Sequence, residues 1–203
     1  MTFYELATLD TVIFGAGKAG AGLERWVTEG AGRFCGAWAT DIGALNRIFI
    51  LRAFDDLGGV FAERGRALLH ADPFGCADHL VGLTMESYRG LDFLPPVAAG
   101  NFGPIYEFRT YKTKINGIRP TMEKWRTAVP AREAYSKLTV AMYGLDGAPR
   151  LTQIWPYANL ADRSSARAKS VADGVWPPKG GPDWLLPDMT SQIALPLPFS
   201  PLQ

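Results

Sequence analysis

Cysteine and histidine are nearly missing from this 203-residue chain, which has two of each. Cys35 and Cys76 both fall in the first half, so a duplicated disulfide framework is excluded and a reducing compartment is expected. An excess of charge of one sign is missing too. Twenty-one basic residues face twenty acidic ones, leaving a formal charge of +1 and no overall field favouring nucleic acid or an anionic membrane. No apolar run reaches the roughly eighteen residues a membrane-spanning helix needs. The N-terminus has no charged stretch followed by an apolar one, and strand-like residues begin at Phe3. Together these absences predict a cytoplasmic protein without nucleic-acid or membrane partners.

What the chain does have is a repeat. Phe3-Tyr4-Glu5-Leu6-Ala7-Thr8-Leu9 returns as Ile105-Tyr106-Glu107-Phe108-Arg109-Thr110-Tyr111, and Leu23-Glu24-Arg25-Trp26 returns as Met122-Glu123-Lys124-Trp125. The block from Arg47 to Leu57 is echoed from Arg150 to Leu160. The offsets are 102, 99 and 103, so the elements recur in order and only the connections differ in length. This is a duplicated domain, not a solenoid of short repeats. We read domains at 1–95 and 105–203, the second with an extended tail. They are separated by a linker at 96–104 whose prolines and glycines oppose helix and sheet.

Each half reads as strand, helix, strand, strand, helix, strand. Apolar runs at 34–41 and 46–54 are close enough for a hairpin. Asp56 and Asn159 stand where each later helix needs an N-capping side chain, and final strands are expected near 85–93 and 189–197. Trp26 and Trp125, equivalent in the two first helices, are expected in the core. The irregular stretch 174–187, with Trp176 and Trp184, reads as a lid or docking surface. Strands covered by helices on one face leave the other face needing a mate, so two sheets are expected to pair by their bare faces around a chamber.

Gly15-Ala16-Gly17-Lys18-Ala19-Gly20 reads like a dinucleotide fingerprint followed by a helix and a strand ending at Asp41. The shorter offset at the helix marks it instead as a loop insertion in the first repeat. His70, Asp72, Cys76, Asp78 and His79 crowd together without a familiar zinc spacing, and read better as a helix end. No serine sits in a nucleophile elbow with a partnered histidine. We therefore expect no metal and no cofactor.

The strongest site reading uses strand parity. Glu5 and Glu107 occupy equivalent positions on one face of their strands, with Arg109 and Tyr111 beside the second. On the later strands Arg52 shares a face with Ile50 and Phe54, while Gln153, Trp155 and Tyr157 share the matching face. Glu5 and Glu107 are thus candidate catalytic bases, whose burial would raise the carboxyl pKa. Arg109, Arg52, Trp38, Tyr111, Trp155 and Tyr157 are candidate ligand contacts. The competing and preferred account is that Glu107 pairs with Arg109 or another arginine across the barrel, while Arg52 could pair with Glu5 or hold an anionic ligand. All of these residues are expected to face the barrel interior.

Tyr106-Glu107-Phe108-Arg109-Thr110-Tyr111, Val129-Pro130-Ala131-Arg132, Ile154-Trp155-Pro156-Tyr157, Leu160-Ala161-Asp162-Arg163 and Leu197-Pro198-Phe199-Ser200-Pro201-Leu202 resemble NIPSNAP proteins. So does the hairpin Thr40 to Arg47, although Asp41 stands where that family more often has Glu. The resemblance implies an α+β fold of two tandem ferredoxin-like domains of the dimeric α+β barrel type, with antiparallel sheets. That superfamily includes cofactor-independent monooxygenases, isomerases and haem enzymes, and fold alone cannot choose among them. The histidine-free second half argues against haem. Two functions result: a protein binding a small molecule in the barrel cavity, or a protein partner or second copy of itself; alternatively, a monooxygenase or isomerase using Glu107 or Glu5 as base. The lack of catalytic histidines favours binding.

Overall fold

The repeated blocks of sequence become repeated elements in the computed structural model, which describes residues 2–203. The first half holds β1 (Phe3–Thr11), α1 (Gly15–Lys18), α2 (Gly20–Glu29), β2 (Arg33–Ile42), β3 (Arg47–Phe54), α3 (Leu57–Leu69) and β4 (Leu80–Gly90). The second holds β5 (Ile105–Thr113), α4 (Ile118–Arg132), β6 (Val140–Gly144), β7 (Arg150–Tyr157), α5 (Leu160–Ala172) and β8 (Leu185–Pro196). Both capping side chains are in place, Asp56 accepting from the Gly59 amide and Asn159 from that of Asp162. The closing strands of each half start about five residues earlier than expected, at Leu80 and Leu185, because Gly82 and Pro187 interrupt apolar residues that belong to the strands.

The eight strands form one closed barrel in the order β1-β3-β2-β8-β5-β7-β6-β4, every named pairing antiparallel. Each half contributes its strands in the same spatial order. The halves meet through hydrogen-bonded edges, β2 on β8 and β4 on β6. Closure leaves no strand edge unpaired. It also corrects the expectation that the sheets would mate by their faces. Those bare faces curve inward within a single chain.

The inside of this barrel is filled. Trp38 packs against Tyr106 and Phe108 at ring-centroid distances of 5.4 and 5.2 Å, and Phe49 stacks on Phe108 at 4.5 Å. Tyr4, Leu6, Leu51, Val140, Met142 and Ile154 complete the cluster. Towards the other end, Tyr88 receives hydrogen bonds from Arg150 and Thr152, and Thr152 meets Thr110 at 2.9 Å. Trp38 therefore lies in the interior as expected, but as packing rather than as the wall of a ligand chamber. Trp26 and Trp125 are buried in the two helix-facing clusters.

The linker and tail close one end together. Gly100 bridges Leu202 in parallel, Gln203 exchanges backbone hydrogen bonds with Gly100 and Phe102, and fully buried Leu202 joins the barrel core. The tail thus lies on its own linker, while Ser200 caps the Ala37 amide.

The glycine-rich segment is helix, not a phosphate loop. Gly15 starts α1 and Gly20 starts α2, and β1 has antiparallel neighbours on both sides instead of the parallel β-α-β unit a dinucleotide fold requires. The nearby Gly22 has a packing reason: a Cβ there would run into the Gly75 carbonyl of the loop against α2. Gly22→Ala should cost about 1–3 kcal/mol by overpacking, exceeding the ~1 kcal/mol gain in helix propensity. A urea midpoint that rises instead would show that the loop yields.

Candidate functional site

Strand parity placed Glu5 and Glu107 correctly on equivalent positions, but on the opposite side of the sheet from that expected. Even-numbered β1 residues Tyr4 and Leu6 point into the barrel, so Glu5 points out towards the helices. The same holds on β5, where Tyr106 and Phe108 point in and Glu107, Arg109 and Tyr111 point out. Arg52, paired in register with Glu5, and Trp155, paired with Glu107, share that outer face with Tyr157. Apart from Trp38, then, every candidate lies between sheet and helix. This corrects the interior assignment. A wall buried on both sides carries no polar face to orient the pattern.

In the first half the layer is balanced in charge, although Glu5 Oε2 and Arg52 Nε lack hydrogen-bond partners there too. Arg52 is fully buried, donating from Nη2 to Glu5 Oε1 and from Nη1 to Glu63 Oε2, both at 2.5 Å. Glu63, on α3, also pairs with Arg66 at 2.8 Å and accepts from the Ala31 amide. Burial would raise its carboxyl, but Arg66, the Ala31 amide and Arg52 together hold it below the ordinary range. Two acids face two arginines, and Arg66 also covers the Trp26 ring at 3.6 Å.

The second half breaks this balance. Its helix α5 turns Arg163, Ala166, Arg167 and Ser170 towards the sheet, a helical stripe nearly empty of hydrophobic side chains, and Ser170 is its one fully buried member. Arg163 and Arg109 each reach Glu107 Oε1 at 2.5 Å, Ser191 donates to it at 2.6 Å, and Arg167 stands 4.0 Å from Oε2. Arg109 also donates to Tyr111 at 2.6 Å. Burial alone would raise the Glu107 carboxyl, yet the Arg163 hydrogen bond, the Arg109 charge and the Ser191 hydroxyl hold it down at about 2. At neutral pH it is a fixed anion, which corrects the expectation of a raised pKa.

Arg132 at the end of α4 is, with Arg163 and Arg167 of α5, a residue that sequence reasoning missed. It is 2% exposed, with its guanidinium 4.7 Å above the Trp155 ring and Nη1 on Ser136 at 2.9 Å. Among the described residues no carboxylate comes within ion-pair distance of it. Burial pushes its pKa down, partly opposed by neighbouring Tyr157. Its Nε, the Tyr157 hydroxyl, Gln153 Nε2, Arg163 Nε and Glu107 Oε2 are buried without a hydrogen bond of regular geometry, although Tyr157 lies close enough to act on Arg132 and Arg167 on Glu107. Five such atoms in one layer are unusual, because native proteins satisfy nearly all buried polar groups. A signal was present in the quoted Val129-Pro130-Ala131-Arg132 block, but nothing in it tells a buried arginine from a solvated one.

Beside this layer opens a cleft of about 480 Å³, floored by Pro156 and Tyr157 and walled by Ser136, Lys137, Ser165 and Lys169. The expected lid residue Trp176 is instead committed to packing, 4.8 Å from Trp125 and 6.2 Å from Trp155. Among the described residues no three His, Cys, Asp or Glu side chains gather as a metal cluster, and no helix is long and apolar enough to cross a membrane.

Solved structures share this architecture. A candidate monooxygenase from Lactobacillus acidophilus superposes with a TM-score of 0.69 at 12% identity, covering 96% of this chain and 93% of its own. An anthrone oxidase-like protein does so with a TM-score of 0.66 at 9% identity, covering 97% and 91%. At such identities the likeness concerns the fold. The Mus musculus protein NipSnap homolog 3B is 33% identical over 78 residues, 36% of this chain, and the match spans about a third (31%) of the mouse protein's length. The NIPSNAP family model matches residues 4–78 and 106–201, most of both halves, and the chain therefore belongs to the NIPSNAP family.

Proposed function

We propose that this chain is a binding protein for a small organic acid, held in the second half between the sheet, α4 and α5. The carrying observation is Arg132: a buried cation outside ion-pair distance of any carboxylate among the described residues, with Ser136, the Trp155 ring and neighbouring Tyr157 around it, and Tyr157 and Ser136 lining the cleft. A buried charge without an ion pair still costs desolvation free energy that neutral partners offset only in part, and a bound anion would offset more of it. The cleft volume falls within the usual range for small-molecule sites. Recurrence of the same elements and strand order supports reading 1–95 and 105–203 as tandem ferredoxin-like domains joined by 96–104. Only the second of them has departed from charge balance.

The enzyme alternative is weakened by the state of its base. A carboxylate held at about 2 is a feeble proton acceptor at neutral pH, and its arginine partners would have to be displaced first. Glu5 is likewise bound to fully buried Arg52.

Arg132→Met tests the reading by calorimetry with a panel of monocarboxylates and by urea unfolding. Loss of one charged hydrogen-bonding group should weaken acid binding on the order of 10–100-fold. The unliganded variant should be as stable as the parent, or more stable by up to about 1–4 kcal/mol, since an unpaired charge has been replaced by packing volume. Unchanged affinity would sink the proposal, as would a parent protein that binds none of the acids.

A further inference from the structure

The acid-binding reading says nothing about the rest of the ligand, but the surroundings of the cleft do. A second cleft of about 190 Å³ adjoins it, sharing Phe102, Lys137 and Pro156 as walls. Its remaining lining is chiefly apolar, from Leu94, Val97 and Leu138 with the linker prolines. Phe102, 46% exposed, stands at the junction. The two spaces thus form one groove, polar at the Tyr157 end and apolar at the linker end.

Charge limits the ligand further. Lys137 and Lys169 line the groove and Arg132 lies just behind Ser136, while Glu133 and Asp162 are its acids. Glu133 accepts from the Leu138 amide and Asp162 from the Asn159 side chain, so both carboxylates are already engaged. The lining is balanced, two lysines against two carboxylates, and one hydrogen bond behind it stand Arg132 on Ser136 and Asp173 on Tyr135, so the cationic end is local to Ser136 and Tyr157 and has place for a single anionic group. At about 190 Å³ the apolar cleft is the smaller of the two, which keeps the tail to medium length.

Resting on the acid-binding reading, we infer that the ligand is an amphiphilic monocarboxylate: its head meets Tyr157, Ser136 and the Arg132 charge, and its medium-length apolar tail lies over Phe102 and Pro156 against the linker. The tail gains affinity by leaving water, and the head fixes its direction.

Calorimetry on the full chain with acetate, butanoate, octanoate and octan-1-ol, below micelle-forming concentrations, tests this. Octanoate should bind on the order of 10–100-fold tighter than butanoate, and octan-1-ol far more weakly than octanoate. Ala98→Asp, at an exposed linker position lining only the apolar cleft, should weaken octanoate at least tenfold and leave butanoate unchanged. Pro96→Asp, also exposed and lining the apolar cleft but not the Tyr157 cleft, provides a second variant with the same expected pattern if that one fails to fold. Equal affinity for butanoate and octanoate would overturn the tail inference while acid binding stands. Failure of every acid, or octan-1-ol binding as well as octanoate, would remove the acid-binding reading and this inference with it.

Discussion

Glu107→Gln will lower the unfolding free energy by about 3–5 kcal/mol, because it strips the sole carboxylate from between Arg109 and Arg163 and leaves two guanidiniums facing each other in a buried layer. The same pairing gives the parent protein an acid-sensitive stability. The folded Glu107 pKa lies near 2 against an ordinary value of 4.5, so the depressed group stabilises the fold fully above about pH 4.5 and progressively less as pH falls towards 2. That difference corresponds to about 3 kcal/mol at one pK unit per ~1.4 kcal/mol. Urea unfolding at stepped pH values should show the slope in the parent and flatten in the glutamine variant. A variant as stable as the parent at pH 7 would mean that solvent, rather than Glu107, already compensates these arginines.

The second large effect is expected in the other half. Arg52→Met leaves Glu5 fully buried without an ion-pair partner, at a cost of about 3–5 kcal/mol. Glu63 keeps Arg66 and the Ala31 amide, so the damage should localise to Glu5. Adding Glu5→Gln to Arg52→Met removes the stranded charge and should recover at least half of the loss. The double-mutant cycle should then return a coupling within the ~0.5–3 kcal/mol usual for contacting groups. Additive losses would show that Arg52 acts through packing against Phe54 and Phe74 rather than through Glu5.

Together the two experiments compare the charge balance of two halves that share one strand order. Equivalent glutamates sit at Glu5 and Glu107, but the first is matched within its own half, two acids to two arginines. The second is outnumbered by Arg109, Arg132, Arg163 and Arg167. Charge that the fold does not need is where a ligand is to be sought.

Much of this architecture was legible in the residues themselves. The repeated blocks set the order of strands and helices, and Asp56 and Asn159 marked two helix starts through local chemistry that needs no tertiary partner. Register parity grouped Glu107, Arg109 and Tyr111 on one face and Glu5 with Arg52 across a strand pair, because side chains alternate whatever the sheet packs against. Parity cannot say which face looks inward. In β7 every residue is buried, so no polar edge distinguishes barrel lumen from helix layer. Nor could it find Arg132 and Arg163, which arrive from helices. Their approach to Trp155 and Glu107 depends on how α4 and α5 settle on the closed sheet, and only that packing decides whether an arginine meets water or stands alone in the protein.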